Sequence, residues 1–106
     1  MFNKEVMMDK WENCTQVLID LMTEEGYKLV SVWDGEEWHK EDFLANATAS
    51  DEAMLKFKKD GDIIKFYMIW GNATYESIND YTVSEIADKV SDKFWNHFES
   101  MAKLYN

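Results

Sequence analysis

The stretch AMLKFKKDGDIIKFYMIW, residues 53–70, decides the fold of this chain. Apolar and polar residues alternate through much of it on both sides of Asp60-Gly61, with the period of a half-buried β-strand. Asp-Gly between two alternating segments is one of the strongest short-range signals of a β-hairpin. The pattern therefore predicts that residues 53–58 pair with residues 63–70 as antiparallel strands.

The predicted hairpin has two unlike faces. One is wholly apolar and is expected to form the core; its members are Leu55, Phe57, Ile64, Phe66, Met68 and Trp70. The other mixes lysines with aliphatic and aromatic residues: Met54, Lys56, Lys58, Ile63, Lys65, Tyr67 and Ile69. The lysines of this segment, with Lys59, indicate either an anion site or, as the simpler interpretation, edge-strand charges that discourage association between sheets.

Asp34-Gly35 predicts an earlier hairpin, between residues 27–33 and 36–41. In that register Trp33 and Trp38 share one face, and Val30 and Val32 share the other. A single core cannot accommodate both pairs fully. The sheet is therefore expected either to be covered on both faces or to carry an exposed aromatic patch.

Helical periodicity brackets the two hairpins. Residues 3–25 carry apolar side chains every three or four positions, and Gly26 follows as a left-handed C-cap. The last helix is predicted to begin at Thr82, which forms a capping box with Glu85, and an apolar stripe continues to Tyr105.

Two weaker segments complete the chain. Residues 42–52 lack a clear period and are predicted to form a loop with a helical turn at 42–45, and residues 73–78 are predicted to add an edge strand. The fold class is therefore α+β, in one domain spanning residues 1–106. It comprises an antiparallel sheet of four or five strands, flanked by an N-terminal and a C-terminal helix, in the order α-β-β-β-β-(β)-α.

The charge of the chain limits its partners. Its 106 residues include 21 acidic side chains and 11 basic ones, all lysine, for a net charge of −10, yet 46% are hydrophobic. Enough apolar side chain is present for a core, so the acid is displayed on a folded surface. Such a surface repels nucleic acid and anionic lipid and attracts basic proteins. With no apolar run long enough for a signal or a membrane span, and with the single Cys14, we expect a cytoplasmic protein.

Catalytic and metal-binding patterns are missing from the sequence. His39 and His97 lack metal-ligand spacing, and Cys14 lies in the apolar stripe of the first helix. Asp60-Gly61-Asp62 lacks the remaining ligands of a calcium loop. We therefore expect no enzymatic activity, no cofactor and no bound metal.

Acidic residues gather in three places that could face a partner. The first helix carries Glu5, Asp9 and Glu12 in a row, and the last helix carries Asp88 and Asp92. The densest group surrounds Trp38 and consists of Asp34, Glu36, Glu37, Glu41 and Asp42. A tryptophan surrounded by carboxylates is typical of a protein-binding hot spot. These eleven residues are the predicted partner-binding site.

The first functional hypothesis is a small inhibitor whose carboxylates occupy the places of phosphates on a basic, nucleic-acid-binding protein. In size, acidity and lack of an active site the chain is similar to phage-encoded anti-restriction and anti-CRISPR proteins, without a shared motif. The acidic surface predicts a basic protein partner, with no direct binding to nucleic acid or membrane. Surplus apolar surface around Trp33 and Trp38, or around Tyr67 and Ile69, could form a dimer contact, so a monomer or a homodimer is expected.

Three alternatives use the same observations. An immunity protein or antitoxin would present the same acid to a basic nuclease toxin. A ligand-binding module would use a cleft between sheet and helices, with walls formed by Trp33, Trp38, Trp70, Tyr67, Tyr75 and Tyr81. Finally, the acid could serve only to keep the domain in solution.

Overall fold

A computed structural model describes residues 4–50, 52–69, 72–77 and 81–105; within these ranges, the side chains of 4–11, 69, 72–77, 81–83, 98 and 101–105 are not described. The elements are α1 (Lys4–Glu24), β1 (Lys28–Trp33), β2 (Trp38–His39), α2 (Phe43–Ala47), β3 (Glu52–Lys59), β4 (Asp62–Ile69), β5 (Asn72–Ser77) and α3 (Tyr81–Tyr105). All strand pairs are antiparallel, in the order β2-β1-β3-β4-β5. The predicted α+β fold and the order of its elements are confirmed.

The hairpin of β3 and β4 forms the centre of the sheet, as its alternation predicts. Lys59 pairs with Asp62, so Asp60-Gly61 is a two-residue turn. The apolar face is buried at Ala53, Leu55, Phe57, Ile64, Phe66 and Met68, while the predicted Trp70 lies outside the described residues. Because β3 and β4 are flanked on both sides by other strands, their lysines are not edge-strand charges, and that interpretation is wrong.

One core joins this face of the sheet to the helices. Cys14, Leu18 and Met22 of α1 and Ala87, Val90 and Phe94 of α3 are buried in the same cluster as the sheet residues. Within it, the rings of Phe57 and Phe66 meet edge to face with centroids 5.9 Å apart. The described side chains on the opposite face are half-buried, as at Trp33, Met54 and Tyr67, or exposed, as at Lys28 and Lys58. We call this second face the open face.

The ends of the helices lie close to their predicted positions. At the end of α1, the N–H of Gly26 donates to the Thr23 carbonyl at 2.9 Å and that of Tyr27 to the Met22 carbonyl at 3.0 Å, with Gly26 at φ 88°. This Schellman arrangement confirms the predicted C-cap. Helix α3 begins at Tyr81, so Thr82 lies inside the first turn instead of capping it. No helix in the described part of the chain is long and apolar enough to cross a membrane.

The first hairpin differs from its prediction in three ways. Trp33 pairs directly with Trp38, so residues 34–37 form a four-residue loop instead of a two-residue turn, and β2 has two residues instead of six. A register shift between Leu29 and Ser31 marks a β-bulge. The bulge places Leu29 and Val32 in the core and leaves Val30 half-buried, so the predicted pairing of Val30 with Val32 on one face is wrong. The helical turn predicted at 42–45 is observed as α2, which begins at Phe43 and continues to Ala47.

Candidate functional site: the acidic loop

Residues 34–42, which we call the acidic loop, connect β1 through the short β2 to α2. Four of its carboxylate side chains are exposed: Glu36, Glu37, Glu41 and Asp42. Between them stands Trp38, 46% exposed and the most exposed large hydrophobic residue among the described side chains. The structure therefore places an aromatic side chain on the surface within a group of negative charges.

Asp34 organises the loop from within. One carboxylate oxygen, Oδ1, accepts hydrogen bonds from the main-chain N–H groups of Glu36 and Glu37, with N···O distances of 2.8 and 2.9 Å. The N–H of Asp34 itself donates to the Glu37 carbonyl at 3.1 Å. An aspartate that binds the backbone two and three residues ahead holds a turn in one conformation. The backbone between Trp33 and Trp38 is fixed in this way.

The second carboxylate oxygen of Asp34 is also used within the loop. Oδ2 lies 2.7 Å from Nε2 of His39, which follows Trp38 on β2. The N–H groups of Glu37 and Glu36, followed by His39, lower the pKa of Asp34 to about 2. Asp34 therefore stays ionised near neutral pH, and its charge is bound by its own loop. Both oxygens of the Asp34 carboxylate are thus used within the loop instead of facing a partner.

Ser50 and Asn46 attach the loop to the rest of the fold. Ser50 Oγ lies 2.8 Å from the Asp34 carbonyl and 2.9 Å from the Glu52 carbonyl. Gly35 takes a φ of 105°, and a Cβ on it would stand 2.8 Å from that same Oγ, so only glycine fits here. At the other end, Asn46 Nδ2 donates to the Glu41 carbonyl at 3.1 Å.

A row of aromatic residues continues from Trp38 across the open face. Trp33, its pairing partner on β1, stacks on Tyr67 of β4 with ring centroids 6.3 Å apart, across Met54 of β3. The Tyr67 hydroxyl donates to the Glu52 carboxylate, and this hydrogen bond raises the pKa of Tyr67. Within this row Trp38 is exposed, whereas Trp33 and Tyr67 are half-buried.

The structure places Asp88, one of the two predicted acids of α3, far from the acidic loop. The acidic loop follows the last residue of β1, whereas α1 ends just before the first, about 20 Å away along the strand. An ion pair of 2.6 Å between Glu25 and Lys89 holds α3 beside that end of α1 and lowers the pKa of Glu25. Asp88, next to Lys89, is therefore at the opposite end of the molecule from the acidic loop.

The remaining predicted helix acids are placed as follows. Glu12 and Asp92 are exposed on α1 and α3. Glu5 and Asp9 lie in α1, with side chains outside the described set. The acidic loop is thus the one predicted group whose carboxylates and aromatic residue are contiguous in the described structure.

Other chemistry finds little support in the described residues. They contain no group of three or more His, Cys, Asp or Glu side chains that could hold a metal ion. Cys14 is buried, and His97 Nε2 is buried with no hydrogen-bond partner among them. A groove of about 430 Å³ beside the acidic loop is lined by Asp34, Gly35, Glu36, Ala49, Ser50 and Glu52.

The cleft predicted for a ligand does not have its predicted walls. A groove of about 510 Å³ opens between α1, β1 and α2, lined by Gln16, Ile19, Leu29, Asp42, Phe43, Leu44 and Ala45. Three of the predicted wall residues, Trp33, Trp38 and Tyr67, lie instead on the other side of the sheet or at its edge. The other three, Trp70, Tyr75 and Tyr81, have side chains outside the described set.

Comparison with family models, with curated protein sequences and with solved structures finds no match to this chain. Function is therefore inferred from the geometry and charge of the acidic loop.

Proposed function

We propose that this protein is a small cytoplasmic inhibitor that binds the basic surface of a nucleic-acid-handling protein, with the acidic loop in the place of nucleic-acid phosphates. The observation that carries the proposal is the loop itself: exposed carboxylates surround the exposed Trp38 on a backbone held by Asp34 and Ser50.

Preorganisation is what makes this loop a suitable binding surface. Ordering a flexible loop on binding costs free energy, and a loop already fixed by hydrogen bonds avoids most of that cost. Since Asp34 supplies the internal bonds, Glu36, Glu37 and Glu41 remain available for lysine and arginine side chains of a partner. The net charge of −10 adds long-range attraction, which accelerates association with a basic protein.

Trp38 supplies the apolar contact that charge alone does not give. Tryptophan is enriched among the few interface residues that dominate binding energy, and such residues lie within a rim that excludes water. With 46% of its surface exposed, Trp38 has area left to bury against a partner. The carboxylates beside it would form the polar rim of that contact.

Capture from lysate with loop variants tests the proposal. The immobilised protein is incubated with host lysate at low salt, and retained proteins are eluted by a rising salt gradient and identified by mass spectrometry. We expect a basic nucleic-acid-binding protein that is released by salt, because exposed charge contacts are screened. A host defence nuclease would indicate an inhibitor of the phage type, and a toxin nuclease would indicate an immunity protein.

Two matched triple variants separate the loop from net charge. Glu36→Lys, Glu37→Lys and Glu41→Lys together change the loop but keep Asp34, and should weaken binding at least ~100-fold, or about 2.7 kcal/mol. Glu24→Lys, Glu85→Lys and Glu99→Lys change the charge equally at exposed sites on the helices. If the loop variant and the helix variant capture the partner equally weakly, only overall charge matters. If the loop variant captures the partner as well as wild type does, the proposed surface is refuted.

A further inference from the structure

The open face of the sheet is divided in two along the direction of its strands. One half carries the aromatic row with Trp33, Met54 and Tyr67, and Glu52 beyond it. The other half carries four of the eleven lysines in the chain: Lys28, Lys56, Lys58 and Lys65. An acidic protein thus has a basic half-face beside an acidic and aromatic half-face.

The lysines are placed where they repel one another. Lys28 pairs directly with Lys58, and Lys56 pairs directly with Lys65. Like charges directly opposite on neighbouring strands destabilise a sheet. Glu76 takes the register position next to Lys65 on β5. Such a cluster indicates an anionic group that approaches the open face from outside.

We propose that the open face binds the open face of a second copy of this chain. The two copies are related by a two-fold axis that lies between the sheets, perpendicular to the strands. This rotation reverses the strand direction, so the lysine half of each copy covers the aromatic and acidic half of the other. A surface that is complementary to itself is what a two-fold interface requires.

The register of the strands indicates which side chains would meet. Tyr67 and Lys65 both belong to β4, and Glu52 and Lys58 both belong to β3. The two-fold axis brings Lys65 of the second copy over the Tyr67 ring, a cation–π contact, and Lys58 of the second copy towards Glu52. Each contact occurs twice in the dimer.

The dimensions of the face suit a reversible dimer. The five strands contain 30 residues, and at about 3.3 Å per residue and about 4.8 Å between strands they give a face of roughly 480 Å². Standard stable interfaces bury about 800 Å² per partner. The open face is therefore smaller than a standard interface and has the size of a weak, transient one.

The position of the aromatic residues disfavours single-stranded nucleic acid as the occupant. Bases would stack on Trp33 and Tyr67, but Glu52 is hydrogen-bonded to Tyr67, and the acidic loop follows Trp33 directly. Phosphates linked to bases stacked there would meet carboxylates, with the lysines one or more residue pairs away along the strands.

Sedimentation velocity over a concentration series tests the dimer, with changes outside the acidic loop. Wild type should shift from monomer to dimer as its concentration rises. Lys58→Glu should weaken the dimer at least about tenfold, because it places like charges together twice. Lys93→Glu makes the same charge change on the exposed side of α3 and should leave the dimer unchanged. Glu52→Lys combined with Lys58→Glu exchanges the pair and should restore association.

Several results would overturn the inference. Wild type that stays monomeric at every concentration excludes the dimer, and a dimer insensitive to Lys58→Glu excludes the open face as its interface. Failure of the exchanged pair to associate, while its circular dichroism and urea unfolding match wild type, excludes the two-fold arrangement. Binding of a fluorescent oligothymidylate that is lost in Lys58→Glu would assign the face to nucleic acid instead.

Discussion

Asp34-Gly35 and Asp60-Gly61 are the same dipeptide between antiparallel strands, and they form different structures. Around Asp60-Gly61 the ladder closes at once, with Lys59 opposite Asp62 and eight residues in each strand. After Asp34-Gly35 the chain needs two more residues before Trp38 meets Trp33, and the second strand then ends at His39. The first connection is a hydrogen-bonded four-residue loop, whereas the second is a simple two-residue turn.

The side chains around each turn account for this difference. The Asp34 carboxylate binds the N–H groups of Glu36 and Glu37, which withdraws them from strand pairing. Strands β3 and β4, in contrast, put a continuous apolar face into the core from Ala53 to Phe57 and from Ile64 to Met68, and that burial fixes their register. An Asp-Gly signal locates a reversal of the chain, while the burial of the flanking residues decides how tight it is.

The largest difference in the free energy of unfolding is expected between alanine variants of an aromatic residue in each hairpin. Phe57→Ala removes a fully buried ring from β3 and should lower the free energy of unfolding by about 3–5 kcal/mol. Trp38→Ala, near the first turn, should lower it by less than about 1 kcal/mol and still abolish partner capture. Urea unfolding of both variants measures the two losses in the free energy of unfolding. A strongly destabilised Trp38→Ala would make Trp38 a packing residue instead of a binding one.

The two glycines give the next largest contrast. Gly35→Ala forces an alanine into a φ of 105° against Ser50 Oγ and should cost about 2–3 kcal/mol. Gly61→Ala meets no atom within 4 Å, and its φ is outside the left-handed region, so the change should stay within about 0.5 kcal/mol. Equal unfolding midpoints for the two variants would show that the acidic loop is not fixed as described.

Acid should affect the first turn through Asp34. Because its pKa falls from 3.8 to about 2 in the folded state, its ionised form stabilises the fold fully above about pH 4, and this contribution is lost as the pH falls to 2. The stability difference between wild type and Asp34→Asn should therefore narrow over that interval. Asp60→Asn, the matching change in the second turn, controls for net charge. A difference that stays constant down to pH 2 would contradict the role of Asp34.

The smallest effect is expected at the attachment of the loop to the sheet. Ser50→Ala removes the hydroxyl between the carbonyls of Asp34 and Glu52 and should cost about 0.5–1.5 kcal/mol. It should also loosen the acidic loop and accelerate amide exchange at Glu36 and Glu37. If exchange there is unchanged, Asp34 alone holds the loop.

The central fold could be predicted because its signals are local and repeated. Alternation around Asp60-Gly61 and the three-to-four spacing in both helices each span many residues, so one periodic pattern fixes a whole element. The bulge between Leu29 and Ser31 has no such signal. It depends on how β1 meets β3 and the core, and a shift of one residue exchanges the faces of a strand.

The site was predicted in composition but not in organisation. The carboxylates around Trp38 are adjacent in sequence, so their grouping is visible there. The Asp34 turn has a local signal, since an aspartate just before glycine favours such bonds to the backbone. Ser50 lies 16 residues from Asp34 and meets it only after the sheet has formed. The hairpin pattern already places Lys56, Lys58 and Lys65 on one face, but Lys28 joins them only when β1 is in register with β3.

Competition with nucleic acid tests the central claim most directly. The protein captured by the acidic loop is first bound to its own fluorescent DNA or RNA, and this chain is then titrated in while anisotropy is recorded. We expect wild type to displace the nucleic acid, and so should the helix variant with Glu24→Lys, Glu85→Lys and Glu99→Lys. The loop variant with Glu36→Lys, Glu37→Lys and Glu41→Lys should not displace it. A stable ternary complex, with the nucleic acid still bound, would contradict this claim.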